Sequence, residues 1–439
     1  MKTTKSISLS WLLLAMVAGR ACAGGTPTIP SATNLPVHLP QAEGFRTDIN
    51  PALLYYRSFL LAPQPMSASD SDYLASSRGQ SRNLPPRFGP IVGEYDNQFR
   101  LIRQAAHSTV PCDWGIDPSA GLYTLLPYLA RVKAATIASQ LRVAWELQDA
   151  RQDDAREDLT AVFVMARNAS RDGTMIGTLV QDACEGMVYD TIARNFGQFA
   201  PDNLRQLEDG LEAAPARGLL AANVPGEKTY LHDWLINKIR ALQRDNPNDD
   251  AKVLAAIRPD YELIQTFRFF GEKQDGNLWQ LILQASGGTS DGVLKLLEEM
   301  TPLYSRADQI MSLPEKDFES QAQQFKSEVQ DSPNPLMPAL LFFPSLRVRE
   351  FEAEAGEAMV QAAIQYKLHG QPGLDSVRDP FGDGPFQFQR FVFQGVDRGF
   401  ELRSAYAGLG YPCVLIFVER TGPPFFTNGP HAGQPPATP

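Results

Sequence analysis

Between Gly121 and Phe199 three apolar stripes follow one another at helical spacing, separated only by short polar breaks, and this pattern constrains the fold more than any other feature. Leu122, Leu126, Leu129, Ile137, Leu141 and Ala144 recur at the interval that keeps side chains on one helix face. "QDARQDD" interrupts the pattern. Ala155, Leu159, Val162, Ala166 and Ala169 resume it. "RDGT" supplies a turn in which Gly173 suits a helix C-cap, and Ile176, Val180, Ala183 and Met187 form the third stripe. Short connections force consecutive helices to lie side by side. The expected fold class is therefore mainly α: an antiparallel α-solenoid-like helical array.

The same reading extends along much of the chain. In "NPALLYYRSFLL", Asn50 is placed to cap free amides and Pro51 sits where its missing N–H costs nothing. Residues 64–92 read as an irregular loop, followed by a short helix over Tyr95–His107. Pro201 opens another helix, and "KTYLHDWLINKIRALQRD" and "YELIQTFRFF" continue the α pattern. Ser290 is the expected N-cap of the next helix, with Asp291 at its positive end. "SPNPLMPALLFFPS" is a proline-punctuated connector. The last helix carries Val348, Phe351, Ala355, Met359, Ala362 and Tyr366 on one stripe and stops at Gly370.

After Gly370 the period changes. Asp379-Pro380 favours a turn, because proline disfavours helix in the residue before it. Phe386 and Phe388 alternate with Gln387 and Gln389, Gly395–Gly399 reads as a loop, and Phe400–Arg403 alternates again. Val414–Val418 is a continuous apolar run. These strands predict a small C-terminal antiparallel β-sheet whose aromatic face packs on the last helices. The expected organisation is a signal peptide (1–23), an extended leader (24–48), an N-terminal helical array (49–200), a second helical region (201–370), a small β-unit (371–420) and a disordered Pro/Gly-rich tail (421–439).

The signal-peptide reading rests on Lys2 and Lys5, the apolar run Ile7–Val17, and Ala21-Cys22-Ala23 as a cleavage site. It implies export to a periplasmic or extracellular compartment. Removal of Lys2, Lys5 and Arg20 takes the 40 basic residues to 37 against 50 acidic ones, a net charge of −13. Such a surface repels phosphate backbones, and no basic patch offsets it, so nucleic acid is not an expected partner. No later run is apolar enough to predict a transmembrane segment.

Three cysteines follow the cleavage site. An oxidising compartment permits a Cys112–Cys184 disulfide; the alternative is that Cys112, Cys184 and Cys413 are buried thiols. The histidines (His38, His107, His232, His369 and His431) fall in no metal-binding spacing. His107 near Cys112 lacks the local signature of a nucleophilic pair. His232 and Asp233 are helix neighbours about 100° apart, so they are not expected to form a dyad. "SGGTSDG" reads as a loop and N-cap, without the Gly-Lys-Ser/Thr core of a phosphate loop. Glu350, Glu354 and Glu357 share one helical face, read as solvated rather than as a glycosidase pair. Asp379, Asp383 and Asp397 supply too few oxygens for calcium and read as turn-capping acids. Trp114, Trp145, Trp234 and Trp279 read as core anchors. No residue is assigned a catalytic, cofactor-binding or metal-binding role, and no cofactor is expected.

Two resemblances add to this. "ARQDDAREDLTAVFVMARN" resembles half of a tetratricopeptide-like repeat over one helix pair, without a 34-residue period. The order "YKLHG", "DPFGDGP", aromatic strand, "FELRS" resembles the C-terminal end of a class of exported bacterial helical proteins. It is more distantly similar to the C-terminal subdomain of type II secretion pseudopilins. That resemblance implies a hairpin whose loop acids can hold calcium. The pseudopilin methylation signature is absent, and "SAYAGLGYP" replaces the usual acidic tail. The expected function is an exported helical scaffold or binding protein whose partner is a protein or envelope component. The alternative is an envelope-associated hydrolase of glycan or peptide, with a carboxylate site assembled by folding.

Overall fold

The computed structural model describes residues 47–64, 66–75, 83–266, 277–408 and 411–435. The signal-peptide reading, all of the leader except Thr47 and Asp48, His38, and Phe267–Phe270 of "YELIQTFRFF" lie outside the described residues.

The chain is mainly α, with a small three-stranded antiparallel sheet. α1 (Pro51–Leu60) starts as expected: the Asn50 side chain accepts a hydrogen bond from the Ala52 amide at 3.1 Å, and Pro51 opens the first turn. The supposed loop 64–92 instead contains α2 (Ala68–Ala75) and α3 (Phe88–Glu94). Phe88 and Val92, one turn apart, bury against Leu84 and Leu141, which gives this short helix a reason to form. α4 (Asp96–Ala106) buries Phe99, Ile102 and Ala105.

α5 (Pro127–Gln148), α6 (Gln152–Ala169) and α7 (Met175–Asn195) touch one another pairwise. Gly173 takes φ 72°, as its capping role requires, and the Thr174 hydroxyl then caps α7 at the Gly177 amide. Two stripes depart from expectation. In α7 Ala183 is exposed and Ile176, Val180 and Met187 are half-buried, while Met175, Leu179, Cys184 and Val188 take the core face. In α5 the exposed residue is Ile137, at 46%, while Thr136 and Ser139 are buried. Their hydroxyls donate to carbonyls of their own helix, so small polar residues line the contact and the stripe rotates away from Ile137.

α8 (Pro201–Glu212) completes this half. The second helical region comprises α9 (Leu220–Glu227), a π-helical segment (Lys228–Asp233), α10 (Trp234–Asp245), α11 (Asp250–Thr266), α12 (Leu278–Ala285), α13 (Ser290–Met311) and α14 (Glu315–Gln330). The cap of α13 is Thr289, one residue before the expected Ser290. The Ser290 hydroxyl is drawn instead to Asp250.

α15 (Phe342–His369) and the short α16 (Gln371–Ser376) end the helical body, with Gly370 between them at φ 68°. α15 belongs to two cores. Phe343, Leu346 and Phe351 pack with α9–α14, whereas Ala355 to Ile364 pack with α4–α8.

The sheet has the order β1 (Gln387–Phe393), β2 (Val396–Arg403), β3 (Val414–Val418). The loop expected at Gly395–Gly399 is shorter: Gln394 and Gly395, both at positive φ, form a two-residue hairpin turn, and Val396 already pairs with Phe393. The sheet closes on the first core. Phe196, at the end of α7, meets Phe400 at 5.7 Å and Phe417 at 5.1 Å, and Tyr366 of α15 meets Phe388 at 4.8 Å.

Of the tail expected to be disordered (421–439), residues 421–435 instead pack back on the sheet, and 436–439 lie outside the described residues. The Ile416 amide donates to the Thr427 carbonyl at 2.8 Å, and Phe425 packs on Phe391 and Phe393. Thr427 is buried and donates to Asp190 of α7, and the Phe426 amide donates to the Gln434 carbonyl at 3.0 Å. Proline and glycine content suggested disorder, but one aromatic and one threonine anchor the segment. Among the described residues no helix is long and apolar enough to cross a membrane.

Candidate functional site: charge clusters on the first core

The first core carries two arginine–carboxylate clusters. One lies among α6, α7 and α15. Glu185 is fully buried and meets Arg167 at 2.5 Å and Arg217 at 2.6 Å. The same two arginines hold Glu357 at 2.8 and 2.9 Å. Glu350 is buried, pairs with Arg347, and accepts from the Leu220 amide at 3.1 Å. Hence the expectation of a solvated Glu350/Glu354/Glu357 face is corrected: Glu354 alone is exposed. α15 is covered by α7, α9 and α13, so its acids require guanidinium partners. Asp182 lies beside this cluster with one buried oxygen lacking a hydrogen bond. Burial, reinforced by Glu185, holds its carboxyl well above the usual range.

The second cluster forms the floor of a cleft of about 440 Å³ between α4 and α6. Arg142 of α5 reaches Asp96 at 2.7 Å, Asp158 at 2.8 Å and Glu146 at 3.0 Å. Arg103 of α4 reaches Asp158 at 2.5 Å, Asp154 at 3.1 Å and Glu157 at 3.2 Å. Glu146 and Asp158 have 0% exposure. Burial, then the neighbouring Asp158 charge, pushes the Glu146 carboxyl up to about 8. Arg100 and His107 are exposed on the cleft wall, and Arg100 has no ion-pair or hydrogen-bond partner among the described residues. The α4 sequence carried a signal for this site: Asp96, Arg100, Arg103 and His107 fall on one stripe opposite its apolar face.

Comparison with known protein families, with curated proteins and with solved structures finds no match.

Cys112 and Cys184 are separate buried thiols, each pushed up to about 12 by burial, so the buried-thiol alternative holds for these two, whereas Cys413 is a half-buried thiol; Cys112 is no activated nucleophile. His232 does bond Asp233, its Nδ1 lying 2.8 Å from the carboxylate, while Nε2 lies 2.8 Å from the Leu297 carbonyl. The expectation that these neighbours stay apart assumed α-helical geometry; they end a π-helical turn. His369 and His431 are exposed and stand apart from the cleft.

Asp379 accepts from the Phe381 and Ala405 amides and the Ser404 hydroxyl, and Asp397 pairs with Arg390. Both serve turn and hairpin geometry; Asp383 is exposed. Among the described residues no three His, Cys, Asp or Glu side chains converge to hold a metal ion. Trp114 and Trp279 are buried anchors, whereas Trp145 and Trp234 are partly exposed.

Proposed function

We propose that this chain is an exported helical binding protein of the bacterial cell envelope, and that the α4–α6 cleft is where it takes its partner or ligand. The observation that carries this reading is an open cleft whose floor is already fixed by ion pairs, with Arg100 left unpaired on its wall. Groups held by their neighbours lose little freedom on binding. The secretory reading of residues 1–23 and the pseudopilin-like "DPFGDGP" hairpin support the exported location.

A hydrolase reading would look to Glu146 and Asp158, two adjacent carboxyls of which one is held near 8. Both are fully buried behind the guanidinium groups of Arg103 and Arg142. A substrate in the cleft would meet those guanidinium groups before it met Glu146 or Asp158, so binding is the better reading. Affinity capture from native envelopes tests it. The tagged protein should retain a reproducible envelope component, and Arg100→Ala should lose it. Turnover of an envelope polymer with no retained component would overturn the proposal.

A further inference from the structure

The chain treats the two edges of its C-terminal sheet differently. Along β3 the returning tail covers the edge: the Ile416 amide donates to the Thr427 carbonyl at 2.8 Å, and Leu415 bridges Asn428. β1 has β2 on one side and no described segment bonded to the other. Register fixes which of its backbone groups are left over. The Glu419 amide donates to the Arg398 carbonyl and the Ser404 amide to the Cys413 carbonyl, so the even-numbered residues of β2 face β3. Gly399, Glu401 and Arg403 therefore face β1, and their partners Phe391, Gln389 and Gln387 spend their amides and carbonyls on them. Phe388, Arg390 and Val392 turn theirs outward, where no described residue takes them up. An exposed edge is usually blunted by proline, lysine, a bulge or a covering element. Gln387–Phe393 contains neither proline nor lysine, and the extra residue of the bulge opposite Phe391 is Arg398, in β2 rather than at the edge. The one charge of β1, Arg390, is already engaged by Asp397 at 2.7 Å and Glu419 at 2.9 Å. Gln387 and Gln389 are exposed, and Val392 is 58% exposed.

We propose that the β1 edge pairs antiparallel with the same edge of a second copy of this chain, about a two-fold axis at Gln389, so that the two three-stranded sheets become one. In that register the strand is its own complement. Phe388 and Arg390 exchange backbone hydrogen bonds with Arg390 and Phe388 of the second copy, which uses outward groups that are otherwise unpaired. Arg390 comes to lie beside an aromatic ring, Gln389 lies opposite its own amide, and no like charges face each other. Neighbouring axis positions are worse. An axis at Arg390 sets two guanidinium groups opposite one another, and one at Phe388 draws on Phe386, which lies outside the strand. An axis at Phe391 brings together the two tail segments, which pack on Phe391 and Phe393 through Phe425. The α4–α6 cleft takes no part in this pairing.

Sedimentation of the full chain over a concentration series, with site-directed cross-linking, tests this. One pair of edge strands makes a small interface, so the expected result is a monomer–dimer equilibrium with a Kd of about 100 µM. Gln389→Lys sets two ammonium groups opposite each other on the axis and should weaken the dimer by about fivefold. Gln389 is exposed, so the thermal midpoint of the variant should equal that of the parent. Gln389→Cys should give a disulfide-linked dimer on mild oxidation, because opposed residues of a non-hydrogen-bonded pair have Cα atoms about 4.5 Å apart, within disulfide reach. Gln387→Cys should not, since its counterpart in the second copy stands about 14 Å further along the strand. The parent, with Cys112 and Cys184 buried and Cys413 half-buried, is the control for cross-linking through native thiols. A chain that stays monomeric at about 1 mM, whether its β1 edge is bare or taken by a strand of another protein, would overturn the proposal. So would a dimer indifferent to Gln389→Lys, or equal cross-linking from the Gln387→Cys and Gln389→Cys variants.

Discussion

The two cores of this protein are built on different principles. The first, formed by α1, α4–α8, the C-terminal half of α15 and the sheet, buries Arg142, Glu146, Asp158, Arg167 and Glu185 among its apolar side chains. The second, formed by α9–α14 and the N-terminal half of α15, is mostly apolar and aromatic; among the described residues its buried ionisable groups are His232, Asp260, Glu350 and the tyrosines Tyr261 and Tyr304. Buried ion pairs are poor sources of net stability, because desolvation offsets much of their attraction. What they do is penalise wrong pairings. The first core joins segments distant in sequence: Arg167 meets Glu357 across 190 residues, and Thr427 meets Asp190 across 237. The second gathers helices that follow one another, where short connections already limit the alternatives. Charge is concentrated where long-range register must be specified.

The largest expected effect comes from breaking the first core's cluster. Arg217→Ala leaves Glu185 with one guanidinium partner instead of two and should cost about 2 kcal/mol in urea unfolding, short of the roughly 3–5 kcal/mol for stranding a buried charge outright, because Arg167 remains. A loss below about 1 kcal/mol would mean that the pair is dispensable and that register comes from apolar packing alone.

A smaller effect concerns pH. Glu146 binds its proton more tightly in the folded chain, where burial raises it to about 8 from the ordinary 4.5. Its contribution is therefore fully present below about pH 4.5 and is lost as the pH rises towards 8. Glu146→Gln should flatten the fall in stability across that window, with the residual slope reporting the other carboxyls raised by burial, among them Glu227, pushed up to about 7, and Asp182. An unchanged slope would place the pH dependence elsewhere.

In the second core, removing one methyl group should carry only the ordinary packing cost. Ile257 is fully buried, and Ile257→Val should lose about 1 kcal/mol. At the edge of the first core, Asn50→Ala removes the α1 cap and should also cost about 1 kcal/mol, measured by thermal unfolding. A loss several times larger at Asn50 would mean that its further bonds to Asp113 organise the adjoining loop.

The mainly α character, the starts at Asn50-Pro51, the stops at Gly173 and Gly370, and the three strands were legible because each depends on local chemistry: caps, turn residues and period. The packing partner of a polar helix face was not. Glu350 and Glu357 lie opposite an apolar stripe, which in isolation means solvent; Arg347, the partner of Glu350, is three residues away, but nothing near Glu357 in sequence announces Arg167 or Arg217. Ile137 failed for the same reason: period gives a face, not what covers it. The tail failed because composition outweighed two anchoring side chains, Phe425 and Thr427. The cleft was half legible. The charged stripe of α4 is visible in the sequence, but the α6 acids that face it are brought there only by the fold.

The central claim is that α15 is shared between two cores and that the sheet belongs to the first. Native-state hydrogen exchange at increasing urea measures this most directly, because amides that open together belong to one cooperative unit. Amides of β1–β3 and of α15 from Ala355 to Ile364 should lose protection together with α5–α7, and separately from α11–α14. Sheet amides that exchange as a unit of their own, or together with α11–α14, would contradict it.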